Sequence, residues 1–215
     1  MRILLTAFTP FGGETVNPAL QAVELLPGSI EGIELMKLTV PTVFGKAAEA
    51  VAESMRSLKP QAVVCVGQAG GRKAITPERV AINMEDADIP DNEGNQPCDK
   101  PVIPGGPAAY FATLPNKAMV QAIQDAGLPA AISNTAGTFV CNHLMYSVLH
   151  LIKKEVTGTL GGFIHVPYLT EQAGKKPEPA FGMELSDIVR GLHAALSAVA
   201  KSLLEQQPNA WALFI

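Results

Sequence analysis

The chain of 215 residues carries only three cysteines, at positions 65, 98 and 141. An odd, scattered set excludes a disulfide framework, and its spacing fits no zinc motif, so no metal site is expected. Runs of Lys or Arg that could track a phosphate backbone are missing, and a formal net charge of -4 with a pI near 5.6 argues against nucleic acid as a partner. No apolar stretch approaches the roughly 18 residues that a membrane span needs. The N-terminal MRILLTAF reaches Pro10 and Gly12 before it attains the length of a signal-peptide core. Internal repeats and low-complexity tracts are also lacking. These absences point to a cytoplasmic chain whose thiols stay reduced, without membrane or nucleic-acid partners.

What is present is ample apolar content, 47% of the residues, enough for one α/β domain spanning 1–215. Short apolar runs at 3–7, 33–40, 62–67, 80–84, 130–133 and 162–166 read as strands. Between them, segments 17–26, 43–58, 116–126, 139–154 and 183–205 carry apolar residues at three- and four-residue spacing and read as helices. The alternation implies a largely central sheet with helices around it. Residues 85–106, rich in Asp, Asn, Pro and Gly, read as a long functional loop, and 170–182 as a second irregular stretch containing Pro177 and Pro179.

The cysteines differ in setting. Cys65 lies within AVVCVG, an apolar run where a thiol behaves as a small hydrophobe. Cys98 sits in the polar loop beside Asp99, whose charge raises a thiol pKa. Cys141 follows a Gly-containing turn, SNTAGTFVC, and falls in the first turn of an amphipathic helix, where free N–H groups and the helix dipole favour a thiolate and can receive an oxyanion. On position alone, a nucleophile and a core cysteine on the helix's inner face both fit.

Helical geometry sorts the histidines. His143 is two residues after Cys141 and His150 nine, both on the wrong side of the helix to pair with it, and His193 falls in the last amphipathic helix. His165, in GGFIHVPY, stands at the carboxyl end of an apolar run, where catalytic groups of α/β sheets gather. A satisfied core histidine would also fit that setting, but a helix-start cysteine gives it a partner. A third group would fix the imidazole tautomer. Glu78, flanked by Arg79, is the leading candidate against a plain surface ion pair, and Asp91 in the long loop is the second.

With these residues in view, the chain resembles the pyroglutamyl-peptidase I family of cysteine peptidases. The likeness runs through LLTAFTPFGGETVNP, VGQAGGRKAITPERVAIN, IPDNEGNQPCD, SNTAGTFVCNHLMYSVLH and GGFIHVPYLTEQ. It implies a Glu–Cys–His catalytic set at Glu78, Cys141 and His165, with Asp91 in support. It further implies a three-layer α/β/α sandwich with a mixed, mostly parallel sheet, a homotetramer, no cofactor, and peptides bearing N-terminal pyroglutamate as substrates. Phe8, Phe11 and Phe139 would face the flat lactam, while Asn17, Gln68 and Val140 would meet its polar atoms. Relatives often have Arg where this chain reads Asp88 in DADIPDN, which raises the alternative of a pyroglutamyl-binding homologue with weakened turnover. A further alternative takes GQAGGR with Arg72 as a phosphate cradle, as in a nucleoside phosphorylase.

Overall fold

The computed structural model describes residues 1–156, 158–176 and 178–206. Its strands and helices follow in the order β1 (Arg2–Phe8), α1 (Pro18–Leu25), β2 (Ser29–Ile30), β3 (Ile33–Val40), α2 (Lys46–Leu58), β4 (Ala62–Gln68), β5 (Thr76–Pro77), β6 (Val80–Ile82), β7 (Ala109–Phe111), α3 (Asn116–Asp125), α4 (Val140–Lys154), β8 (Leu160–Val166), β9 (Tyr168–Leu169), α5 (Thr170–Ala173), β10 (Gly182–Met183) and α6 (Leu185–Glu205). Six strands form the central sheet in the order β2-β3-β1-β4-β8-β5. The inner four, β3, β1, β4 and β8, run parallel, whereas β2 and β5 are antiparallel to their neighbours, so the sheet is mixed.

The period-2 geometry of the strands divides the core into two layers. Ile3, Leu5 and Ala7 of β1, with Val64 and Val66 of β4, pack against α1, α3 and α6. Leu4 and Phe8 of β1, Val63 and Cys65 of β4 and Phe163 of β8 pack against α2 and α4. Strands β1, β4 and β8 are buried on both faces and are nearly continuous apolar runs, as parallel strands between helical layers must be, whereas β3 mixes buried and exposed residues. Among the described residues, no helix is long and apolar enough to cross a membrane.

Two expected strands turn out differently. The run at 80–84 is β6, but it pairs antiparallel with β7 in a separate ribbon and does not join the central sheet. The run at 130–133 is no strand: it makes isolated parallel bridges, Ile75 to Ala130 and Glu78 to Ser133. Ala131 N donates to Ile75 O and Ser133 N to Pro77 O, but Pro77 has no N–H to return the bond between them, so the ladder breaks in the middle.

The 85–106 segment is irregular as expected, yet well tied. Glu85 and Lys100 exchange backbone hydrogen bonds of 2.7 and 3.0 Å, and the Asn83 amide spans to Ile103 and Gly106. The 170–182 segment is less irregular than its composition suggests, since it contains the single turn α5 and leads into β10, which pairs with β9. Pro177 lies outside the described residues.

Candidate active site

In chain order the sheet grows from β1 to β3 on one side, then returns across β1 to β4 and β8 on the other. The loops leaving the carboxyl ends of β1 and β4 therefore diverge, and such a switch point opens a crevice where α/β folds place their sites. Here a cleft of about 640 Å³ is lined by Phe11, Gly12 and Glu14 after β1, Gln68 and Gly70 after β4, and Tyr168 after β8. Gly137, Thr138 and Phe139 from the turn before α4, and Asp86, Asp88 and Ile89 from the long loop, complete its walls with Lys176.

His165 and Glu78 meet at the end of the sheet. Thr76 of β5 pairs with His165 and Pro77 with Ile164, and Glu78 N continues the ladder to Phe163 O at 2.8 Å. Glu78 and His165 are thus diagonal neighbours on one face, and Oε1 of Glu78 lies 2.7 Å from Nδ1 of His165. Both are buried, at 0% and 3% exposure. A carboxylate accepts only, so Nδ1 carries the proton and Nε2 is left with its lone pair. Glu78 is therefore not a surface ion pair with Arg79, which turns away to Asn134 Oδ1 at 2.7 Å.

Cys141 reaches the same place from the helical layer. Strand parity puts Gly67 and His165, directly paired between β4 and β8, on the face that α4 covers. A Cβ built on Gly67 would stand 3.1 Å from Sγ of Cys141, which locates the sulfur over the pair. The turn 133–138 reverses the chain with Gly137 at φ 78°, and Phe139 in extended conformation starts α4 without offering a side-chain oxygen as cap. The first-turn N–H groups around Cys141 consequently have no side-chain acceptor at the cap position.

Burial raises the Cys141 thiol to about 12, the Glu78 carboxylate adds to the rise, and the Arg72 guanidinium opposes it. Burial likewise holds His165 below its ordinary value, against the hydrogen bond and charge of Glu78, which pull it up. Both shifts favour a neutral thiol facing a neutral imidazole at rest. Cys65, fully buried, is also raised to about 12 by burial, and exposed Cys98 is raised by the charges of Asp86 and Asp99, so neither approaches a reactive thiolate.

The other expected site residues fall into two groups. Phe11 and Phe139, centroids 6.0 Å apart, and Gln68 line the cleft, while Val140 is packed beneath it in the core. Phe8 is in the core against Phe163, with centroids 6.2 Å apart. Asn17 is the N-cap of α1, accepting from Ala19 N at 3.0 Å and donating to Thr9 O at 3.4 Å, so both ends of its amide are engaged. Asp91 accepts from Phe44 N, Glu93 N and Asn95, which shapes the long loop, and those donors hold its carboxyl below the usual range despite its burial. The histidines set aside earlier are engaged elsewhere. His143 pairs with Glu85 and accepts from Gly45 N, His150 hydrogen-bonds Tyr110 at 3.0 Å, and His193 is exposed.

Sequence reasoning missed three participants. Arg72 is no phosphate cradle: its guanidinium donates to Glu78 Oε1 at 2.5 Å, Thr76 Oγ1 at 2.5 Å and Thr135 O at 2.8 Å. Asn142, beside the thiol, bridges to Ile82 and Met84 backbone groups. Phe44 stands edge-on to both Phe139 and His143, completing an aromatic wall. Only Arg72 left a signal, as a cation directly after the glycines that follow a buried strand. Among the described residues, no cluster of three or more His, Cys, Asp or Glu side chains is arranged to hold a metal ion.

Comparison with known proteins finds relatives along nearly the whole chain. The family model described as pyroglutamyl peptidase matches residues 1–202. A pyrrolidone-carboxylate peptidase of Streptococcus pyogenes serotype M4 is 57% identical over 199 residues, covering 93% of this chain and 92% of that protein. The crystal structure of pyroglutamyl peptidase I from Bacillus amyloliquefaciens superposes with a TM-score of 0.89 at 49% identity, covering 93% of this chain and 97% of that one. A mutant pyrrolidone carboxyl peptidase from the hyperthermophile Pyrococcus furiosus gives a TM-score of 0.91 at 39% identity, covering 94% and 100%.

Proposed function

This chain belongs to the pyroglutamyl peptidase I family, cysteine peptidases that remove N-terminal pyroglutamate, and from that premise we propose that Cys141, His165 and Glu78 perform the reaction. The observation that carries the assignment is the buried 2.7 Å contact between Glu78 Oε1 and His165 Nδ1, with the Cys141 sulfur over the same strand pair. It fixes the imidazole tautomer that can take a proton at Nε2.

The scissile bond joins the pyroglutamyl carbonyl to the amine of the next residue. As Sγ of Cys141 attacks that carbonyl, its proton passes to Nε2 of His165, and Glu78 balances the imidazolium that forms. The oxyanion lies at the start of α4, among first-turn N–H groups and the positive end of the helix dipole. Collapse breaks the C–N bond, and the departing amine takes the proton from His165. Water then gives a proton to the same nitrogen, attacks the thioester and releases pyroglutamate, and the proton returns to the sulfur. No cofactor takes part.

Substrate recognition follows from the cleft. A neutral lactam has no charged amine to grip, and Phe11 with Phe139 offers it an aromatic wall. Gln68 and backbone groups of the 137–140 turn are at hand for its N–H and C=O, which would cost roughly 1–3 kcal/mol each if buried unpaired. Proline-capped peptides, which keep the ring and lose the carbonyl, should be poor substrates.

The decisive experiment replaces Cys141 by serine and measures release of a chromogenic amine from a pyroglutamyl arylamide. Turnover should nearly vanish, and turnover near that of the unaltered chain would sink the assignment. The same reading carries a single domain over 1–215, a homotetramer, and a cytoplasmic location in keeping with the free cysteines at 65, 98 and 141. Light scattering and cell fractionation check the last two.

A further inference from the structure

The reaction uses Cys141, His165 and Glu78, and leaves one charged group at their back without a task. Arg72 leaves the loop after β4 and reaches inward, with a side chain only 24% exposed. Its Nη1 donates to Oε1 of Glu78, the same oxygen that faces His165, and to Thr76 Oγ1 on β5, both at 2.5 Å. Its Nη2 donates to the carbonyl of Thr135 at 2.8 Å, in the turn that presents Cys141. Oε2 of Glu78 is buried and accepts no hydrogen bond from any described residue. The carboxylate is thus held entirely through one oxygen, by one imidazole and one guanidinium.

We infer that Arg72 is a positioning residue of this reaction: it holds the Glu78 carboxylate aimed at His165, and ties that carboxylate to the turn carrying the nucleophile. The argument is electrostatic and geometric. Taking a carboxylate out of water is costly unless charged donors offset the lost hydration, and the guanidinium of Arg72 is the permanent charge that touches Glu78. A guanidinium is always charged, and its rigid fork serves three acceptors on two separate segments, β5 with its continuation and the turn before α4, which an ammonium cannot do in one pose.

The charged and titratable groups around Glu78 are Arg72 from the loop, His165 from β8 and Cys141 from α4, with Cys65 of β4 behind the sulfur. The Arg72 charge opposes proton uptake by His165 and eases ionisation of Cys141. Removing it lets His165 bind a proton more readily, so the acid limb of activity must move up in pH.

The inference rests on Cys141, His165 and Glu78 being the catalytic set, and the test separates the two. Cys141→Ser, Arg72→Gln and Arg72→Lys are assayed from pH 5 to 10 on a pyroglutamyl arylamide, alongside thermal unfolding. In R72Q, kcat should fall roughly 10- to 100-fold, as for other groups that orient a catalytic residue. The acid limb of kcat/KM should rise by about one pH unit or more, the shift expected when a neighbouring opposite charge is lost. R72K should return the limb most of the way while kcat stays several-fold low. An acid limb unmoved in folded R72Q overturns the inference, since a merely structural arginine would change stability and leave the limb in place. If R72Q does not fold, R72K decides: kcat and limb both at the parent values overturn it. Survival of activity in C141S would instead refute the catalytic assignment beneath it.

Discussion

Replacing Gly67 by alanine would place a Cβ 2.8 Å from Cζ and 3.0 Å from Cε1 of Phe163, and 3.1 Å from Sγ of Cys141. The ring has nowhere to go: Phe163 is fully buried, tilted against Phe8 on one side and 4.7 Å from the His165 ring on the other. Overpacking of this kind costs about 1–3 kcal/mol. At about 2–4 °C per kcal/mol for a chain of this size, Tm should fall by roughly 2–12 °C. The strain is relieved at the sulfur and the imidazole, and misplacement by a fraction of an ångström to 1 Å should lower kcat roughly 10- to 100-fold. Gly161→Ala is the control. Gly161 lies on the neighbouring strand β8, and an added Cβ would meet Ile152 Cδ1 at 2.4 Å and Leu149 Cδ2 at 3.2 Å, side chains two to three turns along α4 from Cys141. Calorimetry should find both variants destabilised, while steady-state assays find kcat reduced in G67A alone. Equal kcat in the two variants would refute the placement of Cys141 over the strand pair.

Two further outcomes follow from the same geometry. Because burial holds the Cys141 thiol near 12, its alkylation by iodoacetamide, followed by peptide mass spectrometry, should be slow at neutral pH and still climbing past pH 9; a plateau below pH 8 would mean a preformed thiolate pair with His165. Asn142→Ala removes an amide that accepts from Ile82 N at 2.9 Å and donates to Ile82 O at 2.9 Å and Met84 O at 3.0 Å. It should lower stability by about 1–3 kcal/mol in urea titrations, because backbone groups at the edge of β6 lose their partners, and an unchanged midpoint would contradict that role.

The outline of the fold was legible because local pattern and tertiary setting agree. The run 62–67 became a strand within a residue of its apolar limits because burial on both faces demands continuous hydrophobicity, and 33–40 did so with apolar residues toward both layers while Glu34, Lys37 and Thr39 stay exposed. The 130–133 run failed for a reason that lies elsewhere in the chain, the missing N–H of Pro77 on the segment it pairs with. The 80–84 run was right in kind and wrong in place, because three residues of apolar pattern do not say which sheet will take them.

The site divides along the same line. Cys141 and His165 could be found because each sits at a place defined by its own neighbours in sequence, the first turn of a helix and the end of a parallel strand. Strand parity goes further: Cys65 and Gly67 alternate with Phe163 and His165 onto the face that α4 covers, so the missing side chain at 67 marks where the sulfur must fit. Glu78 and Arg72 could not be ranked that way. Their neighbours in sequence are polar turns, which read as solvent, and both become interior only because β5 folds back antiparallel on β8 and carries Glu78 to the His165 imidazole. Asn17 and Asp91 show the converse, polar residues in plausible loops whose hydrogen-bonding capacity is used to shape those loops. What sequence misses here is therefore the charge behind the imidazole. That is where Arg72 holds Glu78, and where a change distant from the scissile bond should still move the pH at which the bond is cut.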